Sequence, residues 1–219
     1  MKRAAFFHTT MNTPVYMREA FLKRFPDVDL ITVVDDSMPG EVQANGNAIT
    51  PGIVRRLVSF ASNVQMQGAS VAVCMCTTVA DAVHIAAKAV DIPFVTIDAP
   101  LMDTAVRAGE KMALLVTAKT TVEISGNSAR SAARAAGREN ITIDTILVPG
   151  AFEALNVEKD KARHDALIAE CARNAAKDYD VVALAQISMA DAAALVGEVG
   201  VPVLTSVASG LEQLAPYLV

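Results

Sequence analysis

An internal duplication with a period near 110 residues constrains this chain more than any other feature. The segment Val71-Ala-Val-Cys-Met-Cys-Thr-Thr-Val-Ala-Asp-Ala82 aligns without a gap on Val181-Val-Ala-Leu-Ala-Gln-Ile-Ser-Met-Ala-Asp-Ala192, with four of twelve positions identical. Those four are the opening valine and the closing Ala-Asp-Ala. Upstream, Ala4-Ala-Phe-Phe-His-Thr9 matches Met112-Ala-Leu-Leu-Val-Thr117 in length and polarity. Downstream, both copies run through a helical pattern into a short Pro-led strand, Pro93 to Ile97 and Pro202 to Thr205. Strands alternating with helices imply parallel sheets. The expected fold is α/β: two pseudo-symmetric lobes, each a mostly parallel four-stranded sheet flanked by helices, with an active-site cleft between them. The first lobe is expected to hold residues 1–98 plus 207–219, the second residues 99–206.

Within this frame the elements follow from pattern. In the first copy, helices are expected from Pro14 to about Phe25, from Thr50-Pro51 to about Gln67, and from Val79 to Val90. Threonine followed by proline is a cap and a tolerated first helical position. Val28 to Val34 reads as a second strand. Asp35 to Asn47, rich in Asp, Gly, Asn and Pro, reads as a loop long enough to be a lid. The second copy has helices from about Thr120 to Ala136, Glu158 to Lys177 and Met189 to Val199, a strand from Ile141 to Val148, and a loop from Pro149 to Asn156. A last helix is expected at about Gly210 to Tyr217.

Composition excludes several classes of partner. The 219 residues carry a net charge of −5 and no basic run, which argues against nucleic acid. No apolar stretch approaches the ~20 residues of a membrane span. Three cysteines leave an odd count and no disulfide framework, which points to a reducing cytoplasm. Cys74-Met-Cys76 has no second Cys/His pair at zinc spacing, so no metal is expected. The apolar composition, 53% of the chain, makes a homodimer or higher homo-oligomer the expected assembly.

The candidate chemistry gathers where strands end, because ligands bind at that edge of open α/β sheets. Cys76 ends an apolar strand just before a helix starts, a place that favours an ionised thiol. The alternative is an inert core cysteine, the role assigned to Cys74 and Cys171. Thr78-Val-Ala-Asp81 and Ser188-Met-Ala-Asp191 fit a capping box, so both aspartates read as helix caps. His8 closes the first strand beside Thr9, near the expected cleft, and is a candidate ligand. His84 and His164 read as structural, the latter on an exposed helix. Thr117-Ala-Lys-Thr-Thr121 is the repeat's equivalent of the segment beginning at Thr9. Thr117, Thr120 and Lys119 are candidate carboxylate ligands there; a helix cap with a solvated lysine is the alternative.

At these residues the chain resembles the aspartate/glutamate/hydantoin racemase superfamily. The resemblance rests on the duplicated lobes, on Cys76-Thr77-Thr78 at the third strand end, and on the matching strand end of the second lobe. It implies a cofactor-independent enzyme acting on a small carboxylate or amino-acid-like substrate. Racemases of this family use two cysteines, one per lobe, to remove and return the α-proton. Carried over by position, Cys76 is the acid/base or nucleophile, and Thr77 and Thr78 hold the carboxylate. The second-lobe position departs from that pattern: it is Gln186, followed by Ile187 and Ser188. Glutamine carries no proton in either direction, and an unassisted serine is a poor base. Gln186 and Ser188 are therefore expected to bind substrate rather than to exchange its proton. The superfamily includes a single-thiol arylmalonate decarboxylase, with its thiol in the second lobe, and a maleate isomerase. A decarboxylase or lyase, or a non-catalytic carboxylate-binding protein, is the alternative function.

Overall fold

A computed structural model describes residues 2–219. By internal contacts the chain forms two compact units: unit 1 runs to Ile97 and takes up Gly210–Val219, and unit 2 is Asp98–Ser209.

Unit 1 contains β1 (Arg3–His8), α1 (Pro14–Arg24), β2 (Asp29–Val34), α2 (Met38–Ala44), α3 (Pro51–Met66), β3 (Val71–Cys74), α4 (Ala80–Ala86) and β4 (Phe94–Thr96). Unit 2 contains α5 (Ala99–Ala108), β5 (Lys111–Val116), α6 (Val122–Ala135), β6 (Thr142–Leu147), α7 (Ala151–Asn156), α8 (Lys161–Ala175), β7 (Val181–Leu184), α9 (Ala193–Val196) and β8 (Val203–Thr205). The chain then enters α10 (Ser206–Glu212), which crosses the boundary, and α11 (Ala215–Leu218) in unit 1. Both sheets are wholly parallel and share one strand order, β2-β1-β3-β4 and β6-β5-β7-β8.

The central strands are buried on both faces, which is why β1, β3, β5 and β7 read as near-continuous apolar runs. In unit 1, Ala5, Phe7, Ala72 and Cys74 face Leu57, Phe60 and Ala61 of α3. The Phe7 and Phe94 rings pack on Phe60 at 4.9 and 5.6 Å. The opposite face sets Phe6 edge-on to Phe21 of α1 at 5.0 Å. In unit 2, Leu115 and Leu184 meet Ile168 and Ala172 of α8, while Leu114 and Ala183 meet Leu101 and Ala129 of α5 and α6. Each such buried aliphatic chain contributes about 2 kcal/mol.

Three local expectations are corrected. The stretch from Asp35 to Asn47 is not one loop, because Met38–Ala44 is helical. Likewise Ala151–Asn156 is helix within the expected loop from Pro149. In both cases a short buried pair at helical spacing, Met38 with Val42 and Ala151 with Ala154, outweighs the neighbouring Pro and Gly. Proline is no obstacle in a first turn, where its missing N–H has no partner. The capping boxes do not form. Cys76 and Gln186, both extended, hold the cap positions of the 3-10 turns Thr77–Val79 and Ile187–Ala192, without side-chain caps. Asp81 is exposed, and Asp191 instead pairs with Lys161 at 3.0 Å. Thirdly, the expected last helix is divided into α10 and α11.

Candidate functional site

The unit 1 candidates stand at the ends of β1 and β3. The register sets Phe7 opposite Cys74. Two residues on, it brings Thr9 to the level of Cys76 on the same face of the pleat. The ladder persists past the strand, since the Met75 N–H donates to Phe7 O at 2.8 Å. Cys76 is extended (φ −143°, ψ 118°), half-buried and a free thiol. Cys74 is fully buried in the core, its Sγ 3.6 Å from the Cys76 carbonyl oxygen. Thr77 and Thr78 follow Cys76 half-buried, and Thr9 is buried. A partly accessible thiol flanked by hydroxyls can exchange a proton or attack an electrophile.

His8 is fully enclosed, at 0% exposure. Burial lowers its pKa to about 4, so the ring is neutral at physiological pH. Its Nδ1 lies 2.8 Å from Thr13 Oγ1, which ties together the two ends of the loop leading into α1. Its Nε2 is buried without a hydrogen-bond partner. With the ring sealed, direct contact with a substrate requires the loop at residues 9–13 to move.

Unit 2 repeats this frame with different chemistry. Leu115 stands opposite Leu184, so Thr117 reaches the level of Gln186. Gln186 Oε1 accepts the Thr117 N–H at 2.6 Å and the Thr117 hydroxyl at 2.9 Å. A backbone N–H can only donate, so the amide orientation is fixed by its partner. The Gln186 side chain therefore has only its two N–H donors left to offer. Thr117 is buried and Thr120 exposed on the turn Lys119–Thr121. A cleft of about 450 Å³ opens over Thr117 and Thr120 toward Leu147, Val148 and Phe152.

Ser188 is half-buried on its 3-10 turn, and what holds it is His164. That ring was expected on an exposed helix, yet it is 0% exposed. Its Nδ1 lies 2.9 Å from Ala151 O and its Nε2 3.3 Å from Ser188 O. His164 thus links α7, which borders the cleft, to the candidate turn. Its neighbours Arg163, Lys161 and Asp165 mask the buried face of α8 in sequence; the signal that could have found it is its four-residue spacing to Ile168 and eight to Ala172. Among the described residues no three His, Cys, Asp or Glu side chains gather as a metal site would need.

A model of the Asp/Glu/hydantoin racemase family matches residues 16–214. The chain belongs to the Asp/Glu/hydantoin racemase family. Cys76, Gln186 and the cleft lie inside the matched span, while His8 and Thr9 precede it. Solved structures share the fold of this racemase-family chain at low identity. An aspartate racemase of Picrophilus torridus is 16% identical, with 99% of this chain and 94% of that chain covered and a TM-score of 0.71. A glutamate racemase of Bacillus anthracis is 14% identical over 98% of this chain and 80% of its own, at a TM-score of 0.68. A liganded arylmalonate decarboxylase carrying a Gly-to-Cys and a Cys-to-Ser mutation is 20% identical, covering 100% and 93%, at 0.65. No curated protein matches the chain in sequence. Membership makes it a racemase-superfamily enzyme. No helix among the described residues is long and apolar enough to cross a membrane.

Proposed function

We propose that the chain is a cofactor-independent isomerase of this family acting on a small carboxylate, with Cys76 as the single acid/base or nucleophile. The observation that carries this reading is the asymmetry of two equivalent strand ends. One offers a half-buried free thiol; the other offers Gln186, whose oxygen is already taken by Thr117. In the proposed reaction Cys76 moves the proton, and Thr77, Thr78 and Thr9 hold the carboxylate. Gln186, held by Thr117, offers its two N–H donors to a substrate oxygen, and the Thr120 and Ser188 hydroxyls bind the substrate with it. A preorganised donor of this kind is worth about 3 kcal/mol in a transition state. His8 acts by holding the loop after β1.

A decarboxylase is the second reading, favoured by the donor-only Gln186. Cys76 then supplies the proton, and the N–H donors of Gln186 steady the enediolate oxygens. An arylmalonate decarboxylase mutant with a Gly-to-Cys and a Cys-to-Ser exchange shares this fold. The three free cysteines fit a reducing cytoplasm, and a homodimer or larger homo-oligomer belongs to the same proposal.

The test is proton NMR in D₂O on a panel of α-substituted mono- and dicarboxylates, with wild type and Cys76→Ala. The expected result is deuteration, isomer conversion or loss of carboxylate with wild type alone. The variant is expected to lose at least about 10³-fold in rate with its fold intact. Retained turnover in Cys76→Ala would sink the assignment. Carbon dioxide release from malonate-type acids would select the decarboxylase reading.

A further inference from the structure

The unit 2 cleft shares Thr117 with Gln186, so it opens directly beside the proposed substrate-binding amide. Its volume, about 450 Å³, is in the range of small-molecule sites. The wall is apolar: Leu147, Val148 and Phe152. Phe152 is 43% exposed and sits on α7. The charged groups on the lining are Lys119 and Glu153, one of each sign, so the cleft offers no net charge to a second carboxylate. A carboxylate taken out of water without a cation or several donors of its own is strongly penalised.

The duplication supplies an internal control. His8 pairs with Val34 and Val116 with Leu147, and the next N–H bonds back to the first strand in both units. Asp35-Asp36-Ser37-Met38-Pro39 is thereby equivalent to Val148-Pro149-Gly150-Ala151-Phe152. In unit 1 this edge is acidic and tied down, with Arg56 bonded to Asp35 at 2.7 Å and to Glu41. In unit 2 the same five positions carry no charge. Ala151 stands where Met38 fills the interior, and an aromatic ring stands where Pro39 was. The unit 1 edge also borders a cavity, about 530 Å³, but Asp35, Asp36 and Arg56 line it, so one fold position has diverged from an ionic edge to an apolar one, next to the amide.

We propose that this cleft receives an apolar α-substituent of the substrate and that Phe152 selects for it. The substrate class is then α-aryl or branched α-alkyl carboxylates rather than amino dicarboxylates. This assignment rests on the reading of Gln186 as a substrate-binding group.

The test is calorimetric titration of the full-length Cys76→Ala protein, which separates binding from turnover. The probes are 2-phenylpropanoate, propanoate, aspartate and glutamate. We expect 2-phenylpropanoate to bind at least ~ten-fold more tightly than either amino dicarboxylate. Adding Phe152→Ala should weaken 2-phenylpropanoate at least ~ten-fold and leave propanoate within about two-fold, while Phe152→Leu keeps most of the preference. No saturable binding of the aryl acid, equal or tighter binding of aspartate or glutamate, or indifference to Phe152→Ala would each overturn the assignment. So would loss of propanoate along with the aryl acid. The two proposals fail separately. Cys76-dependent exchange of aspartate without aryl preference removes this one and leaves the proposed function; aryl preference without Cys76-dependent chemistry does the reverse.

Discussion

A histidine sealed in a protein interior stays neutral unless a partner compensates its charge. His8 has a hydroxyl on one nitrogen and nothing on the other, and burial holds its pKa at about 4 instead of 6.5. The unfolded chain takes up this proton at a higher pH than the native one. The stability linked to His8 is therefore complete above pH 6.5 and lost as pH falls toward 4, about 3 kcal/mol in all. We expect His8→Gln to be less stable than wild type at pH 7, and the gap to close as pH falls to 4. Urea unfolding across that window checks it; two parallel stability curves would show that the ring titrates as freely as in the unfolded chain. The sequence places His8 at a strand end. That its ring turns inward toward Thr13 depends on α1 packing over that face, which no local pattern encodes. Gln186 is similar. Its departure from cysteine is legible in the alignment of the repeats, but its donor-only character follows from the Thr117 contact alone.

At the scale of elements, α2 shows how side-chain chemistry ties down a sheet edge. Arg56 on α3 reaches Asp35 at 2.7 Å and Ser37 Oγ at 2.9 Å, and pairs with Glu41 on α2. Glu41 also accepts from Thr50, the residue that caps α3 by accepting the Ile53 N–H at 3.2 Å. Burial pushes the Asp35 carboxyl up, but bonds from Ser37 and Arg56 outweigh it and hold it below the ordinary carboxylate range. α2 in turn packs on the Thr77–Val79 turn that follows Cys76. Removing the cation leaves two carboxylates facing each other without a partner. Arg56→Met is expected to lower stability by about 1 kcal/mol, the modest figure reflecting partial exposure of the network. Hydrogen exchange should speed up over residues 35–50 and not in unit 2. Arg56→Lys should restore only part of the protection, because one ammonium cannot reproduce the guanidinium fork. Unchanged exchange over 35–50 would mean that Met38 and Val42 hold α2 unaided. Those two residues are what made the helix hard to read: one buried pair in seven residues is too short a run for periodicity to outweigh Pro39 and Gly40.

At the scale of the whole molecule, unit 1 is completed by a segment, Gly210–Val219, that rejoins it after the whole of unit 2. Gln213 Nε2 donates to Thr96 O at 3.0 Å, Lys2 Nζ to Val219 O at 2.8 Å, and Arg24 pairs with Glu212 at 3.3 Å. The tightest point is Gly210. A Cβ there would run into the carbonyl oxygen and side chain of Ile97. Gly210→Ala is expected to cost about 2 kcal/mol, the scale of overpacking, and to lower Tm by about 4–8 °C. Native-state exchange should place the loosening in residues 2–97, with the sheet of unit 2 unaffected. An unshifted Tm would show that the helix slides to make room.

The sequence by itself determined the duplication, the parallel order of strands and helices, the strand ends that carry Cys76 and Gln186, and the family resemblance. These are legible because burial on both faces writes long apolar runs, and because a gapless repeat aligns equivalent positions whatever surrounds them. Only the tertiary structure decided that Thr78 and Ser188 do not cap their helices and that His8 and His164 are interior. The same holds for the ion pairs along the unit 1 edge and the apolar edge of unit 2. Each of these depends on side chains brought together from distant parts of the chain, such as Arg56 with Asp35 or His164 with Ala151 and Ser188. The energy of such contacts exceeds the few tenths of a kcal/mol by which local propensities differ.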